Sequence, residues 1–206
     1  MHPPTIEDVA REAGVSRSTA SRAVRGESRV SPQARAAVDA AVQRIGYFPN
    51  LAARSLVTRR TDSIALVVPE PDSVILNDPF LTGVLRGTND GLASTDLQLI
   101  LLIARADDST TGRIVRYLKA GHVDGVLIAS HHRSDHLEEA LTGSDLPAVF
   151  VGRPETIGDT FLPYVDVDNA GGARAATEYL LSQGRSRVAH IAGPQDMPAG
   201  ADRLAG

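Results

Sequence analysis

Side chains that can donate hydrogen bonds to nucleic acid cluster near the start of the chain. If residues 17–24 form a helix, one side of it is apolar and the other carries two guanidinium groups and two hydroxyls. These donors are Arg17, Ser18, Ser21 and Arg22. Such a helix can enter a DNA major groove, where arginine and serine reach the base edges. The simpler alternative is an ordinary helical hairpin with a solvated polar face.

Capping and turn residues predict two further helices around this segment. Thr5 is a candidate N-cap, with an acidic residue three positions later, as in a capping box. Gly14 provides the geometry of a sharp turn, and Ser16 caps the next helix. Ser31, followed by proline, opens a third helix that stops at Gly46. Together these signals predict a helix-turn-helix module.

Charge is unevenly distributed along the chain. Residues 1–60 contain 10 arginines and no lysine against 5 acidic residues, a balance of +5. Residues 61–206 contain 11 basic and 20 acidic residues, a balance of −9. A basic N-terminal segment on an acidic body indicates a nucleic-acid-binding head on a soluble body.

Composition also limits the compartment. The sequence has no cysteine, which excludes disulfides and thiolate zinc sites and suits the cytosol. The first residues lack the basic and apolar regions of a secretory signal. No apolar run approaches the roughly 18 residues that a membrane-spanning helix needs. We therefore expect a cytoplasmic protein.

From residue 62 onward the pattern changes to alternating strands and helices. Predicted strands cover 63–68, 97–103, 123–129 and 148–151, and predicted helices cover 78–92, 110–119 and 135–141. This βαβαβαβ order indicates an α/β fold with a doubly wound parallel sheet, whose ligands bind beyond the carboxyl ends of the strands. Residues 164–169 then indicate a short strand running into a helix cap, followed by a helix at 170–183 and a strand at 187–192.

Several spaced motifs carry a family resemblance. The N-terminal ones are T-I-E-D-V-A, A-G-V-S, T-A-S-R, V-S-P-Q-A-R and I-G-Y-F-P-N followed by A-R-S-L. Later ones are V-D-V-D-N, G-R-S-R-V-A-H-I-A-G-P and R-L-A-G. The chain therefore resembles the lactose-repressor (LacI/GalR) family of bacterial transcription regulators.

This resemblance implies a three-helix headpiece, a hinge helix and a periplasmic-binding-protein-like type I fold. The implied regions are a DNA-binding headpiece at 1–49, a hinge helix and linker at 50–61, an N-terminal lobe at 62–161 and the start of a C-terminal lobe at 162–206. Family members continue for well over a hundred further residues. We therefore expect a C-terminally truncated chain with an incomplete second lobe, in which the next helix would begin where the sequence stops.

The resemblance also implies roles for particular residues. Those that match base-reading positions are Arg17, Ser18 and Arg22, with phosphate contact alone as the alternative for each. Those that match phosphate-binding positions are Thr5, Ser16, Thr19, Ser21, Arg29, Ser31 and Tyr47. Those that match the hinge in the minor groove are Asn50, Arg54 and Leu56, with a plain linker as the alternative. Those near the family's effector cleft are Phe80, Ser130, Arg153 and Arg203.

Two of the effector positions have simple alternatives. Phe80 has core spacing in its predicted helix, and Arg153 reads equally well as a surface loop charge. His131, His132 and His136 with Asp135 read as a solvated polar loop rather than a metal site, because no H-E-x-x-H pattern is present. Gly171-Gly172 at a helix start is only a weak phosphate signal without the full glycine-rich spacing.

These features predict a DNA-binding regulator, a repressor, that binds a pseudo-palindromic operator as a homodimer. A sugar-like effector in the body is expected to modulate its DNA affinity. The alternatives are a soluble sugar-binding protein of the periplasmic-receptor type and an inactive truncated remnant. An enzyme is not expected, and no cofactor, because neither a catalytic triad pattern nor a phosphate loop stands out.

Overall fold

The structure is a computed structural model that describes residues 2–48, 55, 60–71, 75, 77–104, 108–154 and 162–206. The chain divides into two compact units, Met1–Arg59 and Arg60–Gly206. The proposed hinge residues Asn50, Arg54 and Leu56 lie outside the described residues.

Three helices form the first unit: α1 (Ile6–Glu12), α2 (Arg17–Val24) and α3 (Pro32–Ile45). The side chains of Thr5, Ser16 and Ser31 each accept the backbone N–H three residues further on, so all three predicted N-caps are confirmed. Gly14 and Gly46 have φ values of 64° and 63°, a left-handed geometry that favours glycine.

The core of the helical unit is built from small side chains. Its buried members are Val9, Ala10, Ala20, Ala23, Val38 and Ala41. Such short side chains let the helices approach closely, but they bury little apolar area each. The capping residues add to the stability that this core provides.

The second unit is an α/β domain. Its strands are β1 (Ser63–Val68), β2 (Gln98–Ile103), β3 (Gly125–Ala129), β4 (Ala148–Val151) and β5 (Tyr164–Val165). Its helices are α4 (Pro79–Leu92), α5 (Asp108–Lys119), α6 (Leu137–Leu141), α7 (Asn169–Ser182) and α8 (Pro198–Ala205). All strand pairs are parallel in the order β2-β1-β3-β4-β5, which confirms the predicted doubly wound sheet.

This strand order places a topological switch point between β1 and β3, because the chain builds outward from them in opposite directions. The central strands are apolar on both faces and buried, as expected under helices on both sides. Phe150 on β4 and Leu118 on α5 are among the largest fully buried side chains. β2 lies at an edge and leaves Leu101 and Ile103 partly exposed.

The entry of the chain into β1 is fixed by one carboxylate. Asp124, directly before β3, accepts the backbone N–H groups of Thr61 (2.7 Å) and Asp62 (2.9 Å) and the Thr61 hydroxyl (3.0 Å). Burial acts to raise the pKa of Asp124, but these hydrogen bonds outweigh it and hold the pKa below its usual value.

Two helix predictions need correction. The helix expected at 135–141 is a 3₁₀ turn, Arg133–Asp135, followed by α6, because His136 between them has φ 53° and interrupts the α geometry. In α4 the buried residue is Leu81, whereas Phe80 is 52% exposed. The core alternative for Phe80 is therefore wrong.

The strand expected at 187–192 is absent from the structure. These residues have no regular structure, and Ile191 is 98% exposed. A strand requires a hydrogen-bonded neighbour, and among the described residues the sheet stops at β5, with no strand paired to this segment. The expectation that a helix would begin only at the end of the sequence is also wrong, since α8 already begins at Pro198.

Candidate nucleic-acid interface and ligand edge

Helix α2 presents its polar face to solvent. Arg17, Ser18 and Arg22 are exposed, whereas Ala20 and Ala23 on the other side are buried in the helical core. The helix is therefore held by its alanine face, and both arginines are accessible to a macromolecular partner. This arrangement favours the helix-turn-helix interpretation over a hairpin with an arbitrary polar face.

Hydroxyl groups gather at the N-terminus of α2. The Ser16 hydroxyl lies 2.9 Å from those of Ser18 and Thr19, and it also accepts the Thr19 N–H at 3.1 Å. The positive end of the helix dipole and three hydroxyls together can accommodate a phosphate oxygen. Ser21 is half-buried further along the helix.

The remaining phosphate candidates have different surroundings. Thr5 and Ser31 cap α1 and α3, and the Thr5 hydroxyl also donates to Asp8 at 2.7 Å. Arg29 is exposed in the loop before α3. Tyr47 packs against the helical core, and burial raises its pKa, so it remains a neutral donor.

Two acidic residues that the motif reasoning did not single out contact the arginines of α2. Glu7 on α1 lies 2.5 Å from Nε of Arg17. Glu27, beyond α2, accepts a hydrogen bond from Nε of Arg25 at 2.9 Å and lies 4.0 Å from Nε of Arg22. Glu27 therefore pairs with Arg25 and also lies near Arg22.

In the second unit, polar side chains meet beyond the carboxyl ends of β1 and β3. The Ser130 hydroxyl donates to Glu70 at 2.6 Å, and Nε2 of His132 lies 3.1 Å from the same carboxylate oxygen. Nδ1 of His132 lies 3.0 Å from Asp196. Ser130 has φ 58°, an uncommon conformation for a residue with a side chain, of the kind that recurs at ligand sites.

The electrostatics of this edge follow from burial and pairing. Burial lowers the pKa of His132, but hydrogen bonds to Asp196 and Glu70 outweigh it and leave the pKa above its ordinary value. Burial raises the pKa of Asp135, which accepts the His132 N–H at 2.6 Å. The edge therefore concentrates carboxylates around one readily protonated imidazole.

His131 has different surroundings from His132. It is buried edge-on against Phe150, with ring centroids 5.2 Å apart. Its Nε2 lies 3.3 Å from the Arg153 carbonyl oxygen, so Nε2 carries the proton. Burial lowers the pKa of His131. The interpretation of this segment as a solvated loop is therefore wrong for His131 and Asp135, which are both buried.

Arg153 pairs with the residue that directly precedes Arg203 on α8. The Arg153 guanidinium donates to both carboxylate oxygens of Asp202, at 2.7 and 2.6 Å, and its backbone N–H donates to Asp166 at 3.2 Å. Arg203 follows Asp202 on α8 and is exposed. Arg153 is thus a paired residue rather than a plain surface charge, since its ion pair ties the end of β4 to α8.

Phe80 stands apart from this network. It is exposed in the first turn of α4, and its backbone N–H donates to the Asp78 cap at 2.8 Å. The structure therefore forms two polar groups: Ser130 with Glu70, His132 and Asp196, and Arg153 with Asp202 of α8. Among the contacts of the described residues, none joins the Phe80 side chain to them.

Two weaker signals find ordinary explanations. His132 and His136 are not on one helical face, and His136 is exposed with its Nδ1 3.4 Å from Glu139. The described part of the chain contains no cluster of three acidic or histidine residues arranged for a metal ion. At Gly171 the Asp168 carboxylate caps α7 at 2.7 Å, so a carboxylate already occupies the place of an incoming phosphate.

An N-terminal helix-turn-helix unit, followed in the same chain by a parallel α/β unit with a polar switch point, defines the class of this protein. The model "Bacterial regulatory proteins, lacI family" matches residues 5–50. The model "Periplasmic binding proteins and sugar binding domain of LacI family" matches residues 61–206. The chain belongs to the LacI family of bacterial regulatory proteins.

Individual relatives agree with this assignment. The transcriptional regulator CelR of Thermobifida fusca is 46% identical over 203 residues, which are 98% of this chain and 59% of the relative. A CelR–cellobiose complex superposes with a TM-score of 0.67 at 42% identity, over 98% of this chain and 59% of that one. The lac repressor dimer bound to operator and the anti-inducer ONPF superposes with a TM-score of 0.79 at 26% identity. The match covers 100% of this chain and 60% of the lac repressor chain.

The chain spans about six tenths of the length of these relatives. The described residues include no helix long and apolar enough to cross a membrane.

Proposed function

We propose that this chain is a sequence-specific DNA-binding transcription regulator that acts as a repressor rather than as an enzyme. The observation that carries the proposal is the exposed polar face of α2, fixed by the buried Ala20 and Ala23. Its relatives support it, because CelR is named a transcriptional regulator and the lac repressor was solved on its operator.

In this proposal the first unit carries the DNA contacts. Arg17, Ser18 and Arg22 read base edges, and each arginine suits the paired acceptors O6 and N7 of guanine. The phosphate contacts come from Thr5, Ser16, Thr19, Ser21, Arg29, Ser31 and Tyr47, which set the register of the helix on the duplex. A homodimer presents two copies of α2 to the half-sites of a pseudo-palindromic operator.

The other regions take the roles that the family motifs imply. Residues 1–49 form the headpiece and 50–61 the hinge, in which Asn50, Arg54 and Leu56 contact the minor groove. Residues 62–161 and 162–206 contribute the N-terminal lobe and the start of the C-terminal lobe. The regulator works in the cytoplasm, where bacterial DNA lies.

The ligand edge of the second unit binds a sugar-like effector. Ser130, Arg153 and Arg203 lie on or beside the polar network beyond β3 and β4, and Phe80 supplies an exposed aromatic ring of the kind that packs against sugars. The CelR–cellobiose complex makes cellobiose the first effector to test. Cellobiose is expected to raise the thermal unfolding temperature of the chain, since a ligand that binds only the folded state stabilises it.

DNA binding is tested by selecting duplexes from a random pool with the intact chain and measuring their affinity by fluorescence anisotropy at several salt concentrations. The proposal predicts enrichment of one palindromic sequence and a logarithm of affinity that falls linearly with the logarithm of the salt concentration. Equal affinity for the selected duplex and a mixed-sequence duplex of the same length contradicts it.

A further inference from the structure

The arginines of α2 are not free side chains, because each lies beside a carboxylate. Glu7 approaches Arg17 at 2.5 Å, and Glu27 approaches Arg25 at 2.9 Å and Arg22 at 4.0 Å. In every case the closest guanidinium atom is Nε, the nitrogen nearest the backbone. These contacts engage Nε, whereas a bidentate contact with guanine can use the two terminal nitrogens.

Glu27 is held in place by its own backbone. Its N–H donates to the Arg22 carbonyl at 3.1 Å, and its carbonyl oxygen accepts a hydrogen bond from Arg35 of α3 at 2.6 Å. A residue anchored through both backbone groups has a fixed Cα, so its carboxylate has a defined reach toward Arg22 and Arg25. Arg35 thereby couples the position of Glu27 to the core of the helical unit.

Glu7 is fixed in a different way. It lies in the first turn of α1, between Thr5 and Asp8, whose capping box has both reciprocal hydrogen bonds. Because α1 packs on α2 in the same small core, the carboxylate of Glu7 stands at a set distance from the start of α2.

We propose that Glu7 and Glu27 are specificity-determining positioning residues, which orient Arg17 and Arg22 for base contacts and oppose binding to phosphates alone. This inference rests on the proposed DNA-binding function. An exposed arginine samples many rotamers and must lose that freedom on binding, so a partner that restricts it beforehand favours the specific complex. The same carboxylate repels the backbone of any duplex, which lowers the sequence-independent affinity.

These ion pairs are expected to contribute little to the stability of the fold. All four side chains of the Glu7–Arg17 and Glu27–Arg22 pairs are well exposed, between 41% and 72%. Exposed ion pairs of this kind contribute little to folding because water and salt screen them.

The test compares Glu7→Gln and Glu27→Gln with the matched control Glu12→Gln. Glu12 is also a glutamate of the helical unit, but it pairs with Arg44 of α3 and not with α2. Each intact variant is titrated with the duplex selected by the wild-type chain and with a mixed-sequence duplex of equal length, and the ratio of the two affinities is the readout.

We expect Glu7→Gln and Glu27→Gln to bind the mixed duplex about threefold more tightly and to lose roughly threefold to tenfold of the affinity ratio, since each affects one base-reading arginine. Thermal unfolding should match that of Glu12→Gln, whose ratio stays at the wild-type value. The inference is overturned, and the proposed function is not, if both Glu7→Gln and Glu27→Gln keep the wild-type affinity ratio. The same holds if Glu12→Gln loses as much of that ratio as they do. A wild-type chain that shows no preference between the duplexes contradicts the proposed function, and the inference with it.

Discussion

The two units of this protein differ in how far apart in sequence their structural partners lie. In the helical unit each N-cap bonds a residue three positions away, and the core is assembled within about forty residues. In the α/β unit the polar edge joins residues 60 to 64 positions apart, such as Glu70 with His132 and His132 with Asp196. The first unit is thus specified by local signals, and the second by packing of the whole sheet.

The largest effect is expected from the core of the α/β unit. Phe150→Ala removes a fully buried ring between the sheet and the His131 side chain, and should cost about 3–5 kcal/mol of unfolding free energy. Urea denaturation followed by hydrogen exchange measures the loss and its location. Phe48→Ala, at an 86% exposed phenylalanine, is the control and should change little. Equal losses in the two variants contradict the assignment of the core.

Removing Arg22 should affect DNA recognition and leave the fold unchanged. Arg22→Ala is expected to lose about 1–3 kcal/mol of discrimination between the selected and mixed duplexes, because it deletes one base-reading guanidinium. Competition anisotropy measures this loss. Arg11→Ala removes an equal charge from α1 and is expected to weaken both duplexes alike. An unchanged preference in Arg22→Ala would show that α2 does not read sequence through this residue.

The caps of the helical unit predict a smaller effect. Ser16→Ala deletes the acceptor for the Thr19 N–H and should destabilise this unit by about 1 kcal/mol. Thermal unfolding followed by circular dichroism detects the shift. Ser28→Ala, at an exposed loop serine, is the comparison and should match the wild-type chain. A loss in Ser28→Ala as large as that in Ser16→Ala would count against the cap.

The smallest effect is a pH dependence at the ligand edge. The pKa of His132 is higher in the folded chain than in the unfolded chain. Protonated His132 therefore stabilises the fold fully below the unfolded pKa, and this stabilisation is lost as pH rises through the folded pKa. The stability difference between the wild-type chain and His132→Gln should therefore shrink as pH increases from about 5.5 to 8. Burial lowers the pKa of the neighbouring His131, so its contribution to stability is present at high pH and is lost as pH falls.

His136→Gln provides the control for that experiment. His136 is exposed and lies 3.4 Å from Glu139, so its replacement leaves the contacts of His132 with Glu70 and Asp196 in place. A difference between wild type and His132→Gln that is constant with pH contradicts the pairing of His132 with Glu70 and Asp196.

The same contrast explains what could be predicted from sequence. Helix starts could be predicted at Thr5, Ser16 and Ser31 because capping is a local interaction. The parallel sheet could be predicted from the order of strands and helices. The prediction of a strand at 187–192 was wrong because apolar alternation does not reveal whether a neighbouring strand exists. The acidic partners at this edge belong to no motif that could have been recognised in the sequence. Folding brings Glu70 and Asp196 to His132, Glu70 to Ser130, and Asp202 to Arg153.

Glu7 and Glu27 were missed for a related reason. Acidic residues in a basic segment read as ordinary solvated charges, and only the packing of α1 on α2 and the anchoring of Glu27 by Arg35 bring them to the arginines. Sequence reasoning thus named the arginines that we propose face DNA, but not the carboxylates that we propose orient them.

The central claim, that α2 reads base edges, is tested most directly by replacing single guanines of the selected duplex with 7-deazaguanine, which lacks the N7 acceptor. We predict that the wild-type chain loses affinity at specific guanines, and that Arg22→Ala becomes insensitive to the substitution at one of them, since that contact is already gone. If the wild-type chain tolerates 7-deazaguanine at every position, or if Arg22→Ala keeps the complete wild-type pattern of sensitivity, α2 does not read guanine through Arg22.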